Sequence, residues 1–155
     1  MFTEDSPEKP LNQPCKVVHV NKSVADIEAE TTIIYLSAED GHISKEMEQL
    51  NKNFSFLKEF KLARKQLGIP IKCDIPKKYY ILYGCIIRKT HEDHFDFVSF
   101  RKCVSQINKN NKKDGYVFVA IQAIKDDKDD LINEKNNYNF KKLFVQSRCL
   151  CVLGW

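Results

Sequence analysis

Apolar residues in this chain fall into short continuous runs, separated by stretches in which they recur every three or four positions. Residues 16–20, 31–36, 116–121 and 149–153 form runs of β-branched and other apolar side chains, which predict strands. Strands without a polar face are typical of a sheet covered on both sides. We therefore predict a mixed sheet between layers of helices, with residues 116–121 at its centre.

The stretch from Ile43 to Leu67 has the spacing of an amphipathic helix. Its apolar residues recur four, three and four positions apart, at Phe56, Phe60, Ala63 and Leu67. Gly68 and Pro70 then interrupt the pattern with residues that a helix interior tolerates poorly. We expect one helix here, ending before Gly68.

A clearer helical pattern lies in residues 96–107. Its apolar residues recur three, four and three positions apart, at Phe97, Phe100, Val104 and Ile107. The polar run 108–113 follows and ends in Asp114-Gly115. This run predicts a solvated helix exit and a turn.

The remaining segments complete one domain. Residues 69–73 and 79–87 predict a hairpin around a connection that contains proline, and residues 131–145 predict a weak helix. Residues 1–15 are polar and rich in proline, so we expect a flexible N-terminal tail followed by one domain over residues 16–155. A chain of 155 residues is long enough for one sizeable core.

Composition narrows the class of protein. Apolar residues make up 43% and charged residues 30%, as in ordinary soluble proteins, and no apolar run is long enough to cross a bilayer. The net charge of +4 is small and the basic residues are dispersed, which gives no case for nucleic acid as the main partner. We expect an intracellular protein without a membrane partner.

The cysteines predict buried thiols. There are six of them, at Cys15, Cys73, Cys85, Cys103, Cys149 and Cys151. Three lie inside apolar runs and none forms a C-x-x-C pair, so disulfides or a zinc site are the weaker alternative.

Two polar segments have the residue types of a metal site. His91-Glu92-Asp93-His94 places two histidines three positions apart, but a third ligand is not evident nearby. The acidic loop 126–130 has no glycine and no distal glutamate of the kind found in calcium-binding loops. We expect neither a metal nor a cofactor, and we expect Asp93 or Asp96 to cap the following helix.

Several motifs from Tyr79 onward resemble the small macrodomain hydrolases called terminal ADP-ribose protein glycohydrolases. A tyrosine-rich strand ends in Arg88-Lys89, an aromatic helix start follows at residues 96–100, and Asp114-Gly115 stands where that family has an N-G turn. Residues 121–129 then stand where it has a glycine-rich ligand loop. The resemblance implies a macrodomain, an α/β/α three-layer sandwich around a mixed sheet, with ligands beyond the carboxyl ends of the strands.

The resemblance also assigns catalytic positions. The lysine that forms the covalent intermediate in that family corresponds to Arg88, whose guanidinium stays protonated and is no nucleophile. Its neighbour Lys89 is the one available substitute, although alternation along the strand points it to the other face. The catalytic aspartate of the family corresponds to Asp129, whose other interpretation is an exposed member of an acidic loop.

The ligand-binding positions implied by the resemblance have lost most of their glycines. The first glycine loop corresponds to residues 42–45, and the second to residues 124–127, where two carboxylates would face the phosphates. Ser37 is either a ligand contact or a strand-end cap, and Trp155 either lines the pocket or caps the sheet. The complete set of implied ligand positions is Ser23, Val24, Ser37, Ala123, Ile124, Lys125, Asp126, Asp127, Lys128 and Trp155.

Three functions remain open at this stage: an ADP-ribosyl hydrolase, a binding module and a protein-interaction module. The resemblance most directly implies recognition of ADP-ribose or a related nucleotide-like ligand, free or attached to a protein, with weak or no hydrolysis. An inactive module that binds a protein partner is the alternative. In either case, we expect Arg88 to form an ion pair with Asp127 or Asp129 across the cleft.

Overall fold

A computed structural model describes residues 16–20, 31–73, 80–114, 118–122, 127 and 150–154 of the chain. Within these residues, six strands form one sheet in the order β1-β6-β5-β2-β4-β3. The strands are β1 (Lys16–Val20), β2 (Thr31–Ala38), β3 (Pro70–Cys73), β4 (Tyr80–Arg88), β5 (Phe118–Gln122) and β6 (Leu150–Gly154). Every neighbouring pair is parallel except β3 with β4, so the sheet is mixed, as predicted.

Helices cover both faces of the sheet. On one face α1 (Lys45–Phe54) and α2 (Leu57–Leu62) contribute Leu50, Phe54 and Phe60 to a core shared with the strands. On the other face α3 (Phe97–Asp114) contributes its own apolar side chains to a second core. The architecture is therefore the predicted three-layer α/β/α sandwich.

Strand β5 lies inside the sheet, between β2 and β6. Its residues Val119, Ala120 and Ile121 are almost completely buried, because helices pack on both sides of them. This confirms the central position that the continuous apolar run predicted. Residues 116 and 117 of that run lie outside the described residues.

The prediction of one helix over residues 43–67 was wrong: two short helices occupy this stretch. α1 begins at Ser44, whose Oγ accepts a hydrogen bond from the Met47 N–H at 3.2 Å, and ends at Ser55 in the left-handed conformation (φ 48°). The Asn51 side chain then accepts a hydrogen bond from the N–H of Leu57, the first residue of α2, at 2.9 Å. Because Phe60 still reaches the core after the break, the apolar spacing alone did not reveal it.

Helix α2 also ends earlier than predicted, at Leu62, and tertiary contacts hold the segment that follows. The Lys65 ammonium donates to the carbonyl oxygens of Lys61 and Ala63, where the helix ends. Leu67 N–H then donates to the Glu39 carboxylate at 2.6 Å, in the loop after β2. These contacts lead the chain away from the helix axis and into β3.

Helix α3 is confirmed, but it continues through residues 108–113 to Asp114 instead of ending before them. This segment contains neither proline nor glycine before Gly115, so nothing in it interrupts the backbone ladder. At its start, Phe100, Val104 and Ile107 are fully buried and Phe97 is partly buried against them, which confirms the predicted face.

Other expectations hold where the structure describes them. Residues 70–73 and 80–88 pair as the predicted antiparallel hairpin, and Cys73, Cys85 and Cys103 are buried thiols. Within the described ranges no helix is long and apolar enough to span a membrane. The predicted tail 1–15 and the weak helix 131–145 lie outside these ranges.

A close approach between β2 and β4 fixes the packing at the middle of the sheet. Tyr35 and Gly84 are register partners, and the buried Tyr35 ring lies directly over Gly84. A Cβ on Gly84 would come within 2.3 to 2.6 Å of two ring carbons and the hydroxyl oxygen of Tyr35. The ring also packs against Phe56, with centroids 4.5 Å apart, so it has no free space to move into. Glycine is therefore required here.

We expect Gly84→Ala to destabilise the fold by about 1–3 kcal/mol, the usual effect of overpacking a core. Chemical denaturation of the purified protein measures the loss. In a Tyr35→Ala background the same substitution should lower the free energy of unfolding much less, since the ring that the new Cβ would meet is then absent. An equal cost in both backgrounds would show that the ring contact is not the cause.

Candidate functional site

Three parallel strands end at the same edge of the sheet. These strands are β2, β4 and β5, which end at Ala38, Arg88 and Gln122. The register between β2 and β4 shifts at this edge: Ser37 lies opposite Ile86, but Ala38 lies opposite Arg88. This bulge inserts Ile87 as an extra residue and sets the direction of Arg88 at the strand end.

Arg88 forms a buried ion pair with Asp127, as predicted from the sequence. Its Nη2 lies 2.6 Å from the Asp127 Oδ1, and the two side chains are 5% and 3% exposed. The short distance and the exclusion of water make this a strong charge-assisted hydrogen bond. Arg88 Nε is also buried, and it has no hydrogen-bond partner among the described residues.

The ion pair lies in the wall of a cleft of about 570 Å³. Apart from the pair itself, the cleft is lined by residues of the loop after β4, namely His91, Glu92, Asp93, His94 and Phe95. Its volume falls in the range of sites that bind small molecules. Its wall combines a buried cation, imidazole rings, carboxylates and one aromatic ring.

A second cluster joins the loop after β2 to the loop after β4 beside this cleft. Asp40 Oδ2 lies 2.8 Å from His91 Nδ1 and accepts the His91 backbone N–H at 2.9 Å, while Asp40 Oδ1 accepts the His42 N–H at 3.0 Å. The His42 and His91 rings stack with centroids 4.0 Å apart. The Asp40 N–H donates to the Lys89 carbonyl at 3.1 Å. The two loops are therefore tied by backbone and side-chain contacts.

The electrostatics of this cluster keep Asp40 ionised. Partial desolvation raises the pKa of Asp40, but hydrogen bonds from the His91 ring and from the His42 and His91 amides outweigh it and lower the pKa to about 2. The carboxylate is thus an acceptor at any physiological pH. His91 Nδ1 must then carry a hydrogen and donate a hydrogen bond to Asp40, whether the ring is neutral or charged.

The structure separates the candidate catalytic residues of β4. Arg88 is buried in the cleft wall, whereas Lys89 is exposed and is not among the lining residues. Ser37 is buried, and its Oγ makes no hydrogen bond to any described residue, so it forms no strand-end cap there. Asp127 is the member of the implied second ligand loop whose position is described.

Several other predicted site residues lie outside the described part of the chain. They are Asp129, Ser23, Val24, Ala123, Ile124, Lys125, Asp126, Lys128 and Trp155. Their roles stay predictions.

The histidine-rich loop forms polar contacts within the protein. Asp93 accepts the Thr90 N–H at 3.0 Å, and Asp96 caps α3 by accepting the Val98 N–H at 3.1 Å and the Ser99 hydroxyl. The capping role expected of Asp93 or Asp96 therefore belongs to Asp96. Across the described residues, no group of three or more histidines, cysteines and carboxylates is placed to hold a metal ion.

Sequence reasoning missed the cluster of Asp40, His42 and His91. A local signal existed, because an aspartate two positions before an amide commonly accepts that amide's hydrogen bond in a turn. Its partner His91 is 51 residues away along the chain, and only the tertiary structure brings the two side chains together.

Comparison with known proteins identifies the fold. The macrodomain of Mycobacterium tuberculosis DarG aligns with a TM-score of 0.69 at 10% identity, covering 90% of this chain and 97% of that one. This chain has the macrodomain fold. Thermosipho africanus DarTG, solved in complex with ADP-ribose, aligns with a TM-score of 0.68 at 11% identity over 96% of this chain. An alphavirus P23pro-zbd structure aligns with a TM-score of 0.65 at 7% identity over 91%.

These likenesses concern the fold and do not extend to whole proteins. The present chain spans 43% of the Thermosipho chain and 22% of the alphavirus chain, so both contain much more than this domain. No family model matches the sequence, and no curated protein matches it either. The macrodomain is thus recognised by its structure at very low sequence identity.

The lowered pKa of Asp40 predicts how the tie between the two loops responds to acid. A carboxyl whose folded pKa lies below its unfolded value stabilises the fold above the unfolded value, and this stabilisation is lost as pH falls through the folded value. We therefore expect the contact with His91 to be intact at pH 5 and above, and to loosen between about pH 4 and about pH 2.

Amide hydrogen exchange at His91, followed by NMR over this pH range, measures the loosening. Asp40→Asn should reduce the protection of this amide at neutral pH already, since the ionised acceptor is gone. Protection that stays constant to pH 2 in the native protein would contradict the assignment.

Proposed function

We propose that this domain recognises ADP-ribose or a related nucleotide-like ligand in the cleft beside Arg88, with weak or no ADP-ribosyl hydrolase activity. The observation that carries the proposal is the buried Arg88–Asp127 pair in the cleft wall. A guanidinium is the side chain best suited to binding phosphate, because its planar donors match two oxygens at once. The fold supports the nucleotide character of the ligand, since a DarTG structure of this fold contains ADP-ribose.

The same pair argues against efficient hydrolysis. Covalent deglycosylation of the kind implied by the sequence resemblance needs an amine that can lose its proton, and an arginine guanidinium does not. Lys89 is exposed and does not line the cleft, so it is not placed to replace the missing amine. The loss of a covalent nucleophile removes several kcal/mol of barrier lowering.

The affinity for a phosphate-bearing ligand is expected to be weak. Asp127 already occupies one side of the Arg88 guanidinium and puts a negative charge at the place where a ligand anion would bind. An incoming phosphate must either displace this carboxylate or bind beside it against its repulsion. Arg88 Nε has no partner among the described residues, but it is buried too, so a ligand can use it as a donor only when the side chains around it move.

One observation favours a second function. The pair is buried to 5% and 3% exposure, as expected of a structural contact that no ligand has to open. On this view the cleft binds no nucleotide, and the domain is a catalytically inactive module that binds a protein partner. The two functions differ in what removal of the carboxylates does to ADP-ribose affinity.

We expect hydrolysis of ADP-ribosyl esters to be absent or at least about 10²-fold slower than in a relative with a lysine at this position. Release of ADP-ribose from a modified glutamate peptide, followed by chromatography, measures it. Arg88→Lys should not restore fast turnover by itself, since the carboxylates that repel the diphosphate remain. Rapid release by the native protein would overturn this expectation.

Replacing Asp126 and Asp127 together by glycine should raise ADP-ribose affinity by about tenfold or more, measured by isothermal titration. The substitution removes two charges that repel the ligand and lets the backbone approach its diphosphate closely. It also leaves the Arg88 guanidinium without the carboxylate of Asp127, so that a ligand anion can take that place. Asp93→Asn is the matched control, because it removes another carboxylate from the same cleft without freeing Arg88.

Adding Arg88→Ala to the double glycine variant should abolish the gain. If the double substitution leaves the affinity unchanged, and Arg88→Ala in the native protein also has no effect, the cleft is not a nucleotide site. The protein-interaction function is then the better description.

A further inference from the structure

Asp40 and His91 have the geometry of an oriented acid–base pair. The carboxylate is held by two backbone amides and lies 2.8 Å from the ring Nδ1 of His91, and the His42 ring stacks on the same imidazole. The ring is thus fixed in position by a hydrogen bond at its edge and by packing on its face. An imidazole held in this way by a carboxylate is the arrangement that hydrolases use to orient a general base.

The contact with Asp40 also decides which ring nitrogen is available. Because the carboxylate accepts the proton on Nδ1, the neutral imidazole carries its lone pair on Nε2. Among the described residues, Nε2 has no hydrogen-bond partner, and the His91 ring lines the cleft. Its side chain is 46% exposed, so water reaches it.

The same cleft contains a group that stabilises developing negative charge. Arg88 lines it with a buried guanidinium whose Nε has no partner among the described residues. The Arg88 guanidinium is paired with Asp127, so it can stabilise an oxyanion once this carboxylate is displaced, and a fixed positive charge in a protein site does so far better than one in bulk solvent. An oriented base, access to water and an oxyanion-stabilising group therefore line one cleft.

We propose that His91 is a general base, oriented by Asp40, which activates water for attack on the carbonyl carbon of a carboxylic ester carried by an anionic ligand. This inference rests on the proposed function, because it takes the ligand bound by the cleft as its substrate. It assigns the general base to a residue outside the positions that the sequence resemblance implied, Arg88, Lys89 and Asp129, and it keeps Arg88 only as the group that stabilises the oxyanion.

The step balances without any further reagent. His91 Nε2 takes a proton from water as the water oxygen bonds to the carbonyl carbon, and the carbonyl electron pair moves onto oxygen, where Arg88 stabilises it. When this oxyanion collapses, the bond from the carbonyl carbon to the alcohol oxygen breaks. The imidazolium then returns its proton to the departing alkoxide. The products are a carboxylic acid and a free hydroxyl group.

The test is the slow hydrolysis of an ADP-ribosylated glutamate peptide by the full chain in ¹⁸O-labelled water. We expect turnover above the rate in buffer, with the label appearing in the peptide carboxylate, because water attacks the carbonyl carbon. Attack at the sugar carbon would leave the peptide carboxylate unlabelled. His91→Gln should lower the residual kcat about 10²-fold or more, with little change in KM.

Asp40 is a positioning residue, and its test needs a signal that loop damage does not change. Asp40→Ala should shift the His91 ring toward the other tautomer, seen in the nitrogen chemical shifts of the imidazole, and should lower kcat more than it raises KM. Asp93→Asn weakens a contact in the same loop, because it removes the negative charge from the side chain that accepts the Thr90 amide. It should leave the His91 tautomer unchanged.

Three results would overturn the proposal: native turnover no faster than in buffer, a His91→Gln rate equal to that of the native protein, or a peptide carboxylate that carries no label. Titration with ADP-ribose on the same samples separates this inference from the proposed function. Binding without turnover refutes only the general base. The absence of binding, together with no gain in the double glycine variant, refutes the nucleotide site itself.

Discussion

The structure depends on the parallel pairing of β2 with β4 on one side and with β5 on the other. β2 is buried along the length for which burial is described, and its alternating side chains supply both cores. Ile33 and Tyr35 pack under α1 and α2, whereas Ile34 and Leu36 pack toward α3. Because all three strands run in the same direction, their carboxyl ends meet at one edge. The position of the cleft follows from this register.

The buried Arg88–Asp127 pair has a cost that the fold has to offset. Removing two charges from water is expensive, and their mutual attraction repays this only when the geometry is good. Here one short contact of 2.6 Å joins Arg88 Nη2 to Asp127 Oδ1, but Arg88 Nε has no partner among the described residues. A structure optimised for stability alone would satisfy that donor. An anionic ligand at the cleft would satisfy it, which is why the pair is of interest for function.

Much of this architecture could be predicted from the chain. The strands were found because short continuous runs of β-branched and other apolar residues are typical of buried strands, and α3 was found because its apolar spacing is regular. The pair of Arg88 with an aspartate after β5 was predicted from the family resemblance, which put carboxylates in the ligand loop, and from the rule that the carboxyl ends of parallel strands converge. The break at Ser55 was missed, since Phe54, Phe56 and Phe60 all reach the same core and preserve the apolar spacing across it.

The site divides in the same way. The sequence determines which residue types stand at this edge. Where the resembled family has a lysine and glycines, this chain has Arg88 and carboxylates, and this difference already argued against covalent catalysis. The contact between Asp40 and His91 was decided only by the tertiary structure. Local preference and apolar periodicity act over a few residues, whereas this contact joins loops 51 residues apart and depends on the strand register and on the bulge at Arg88.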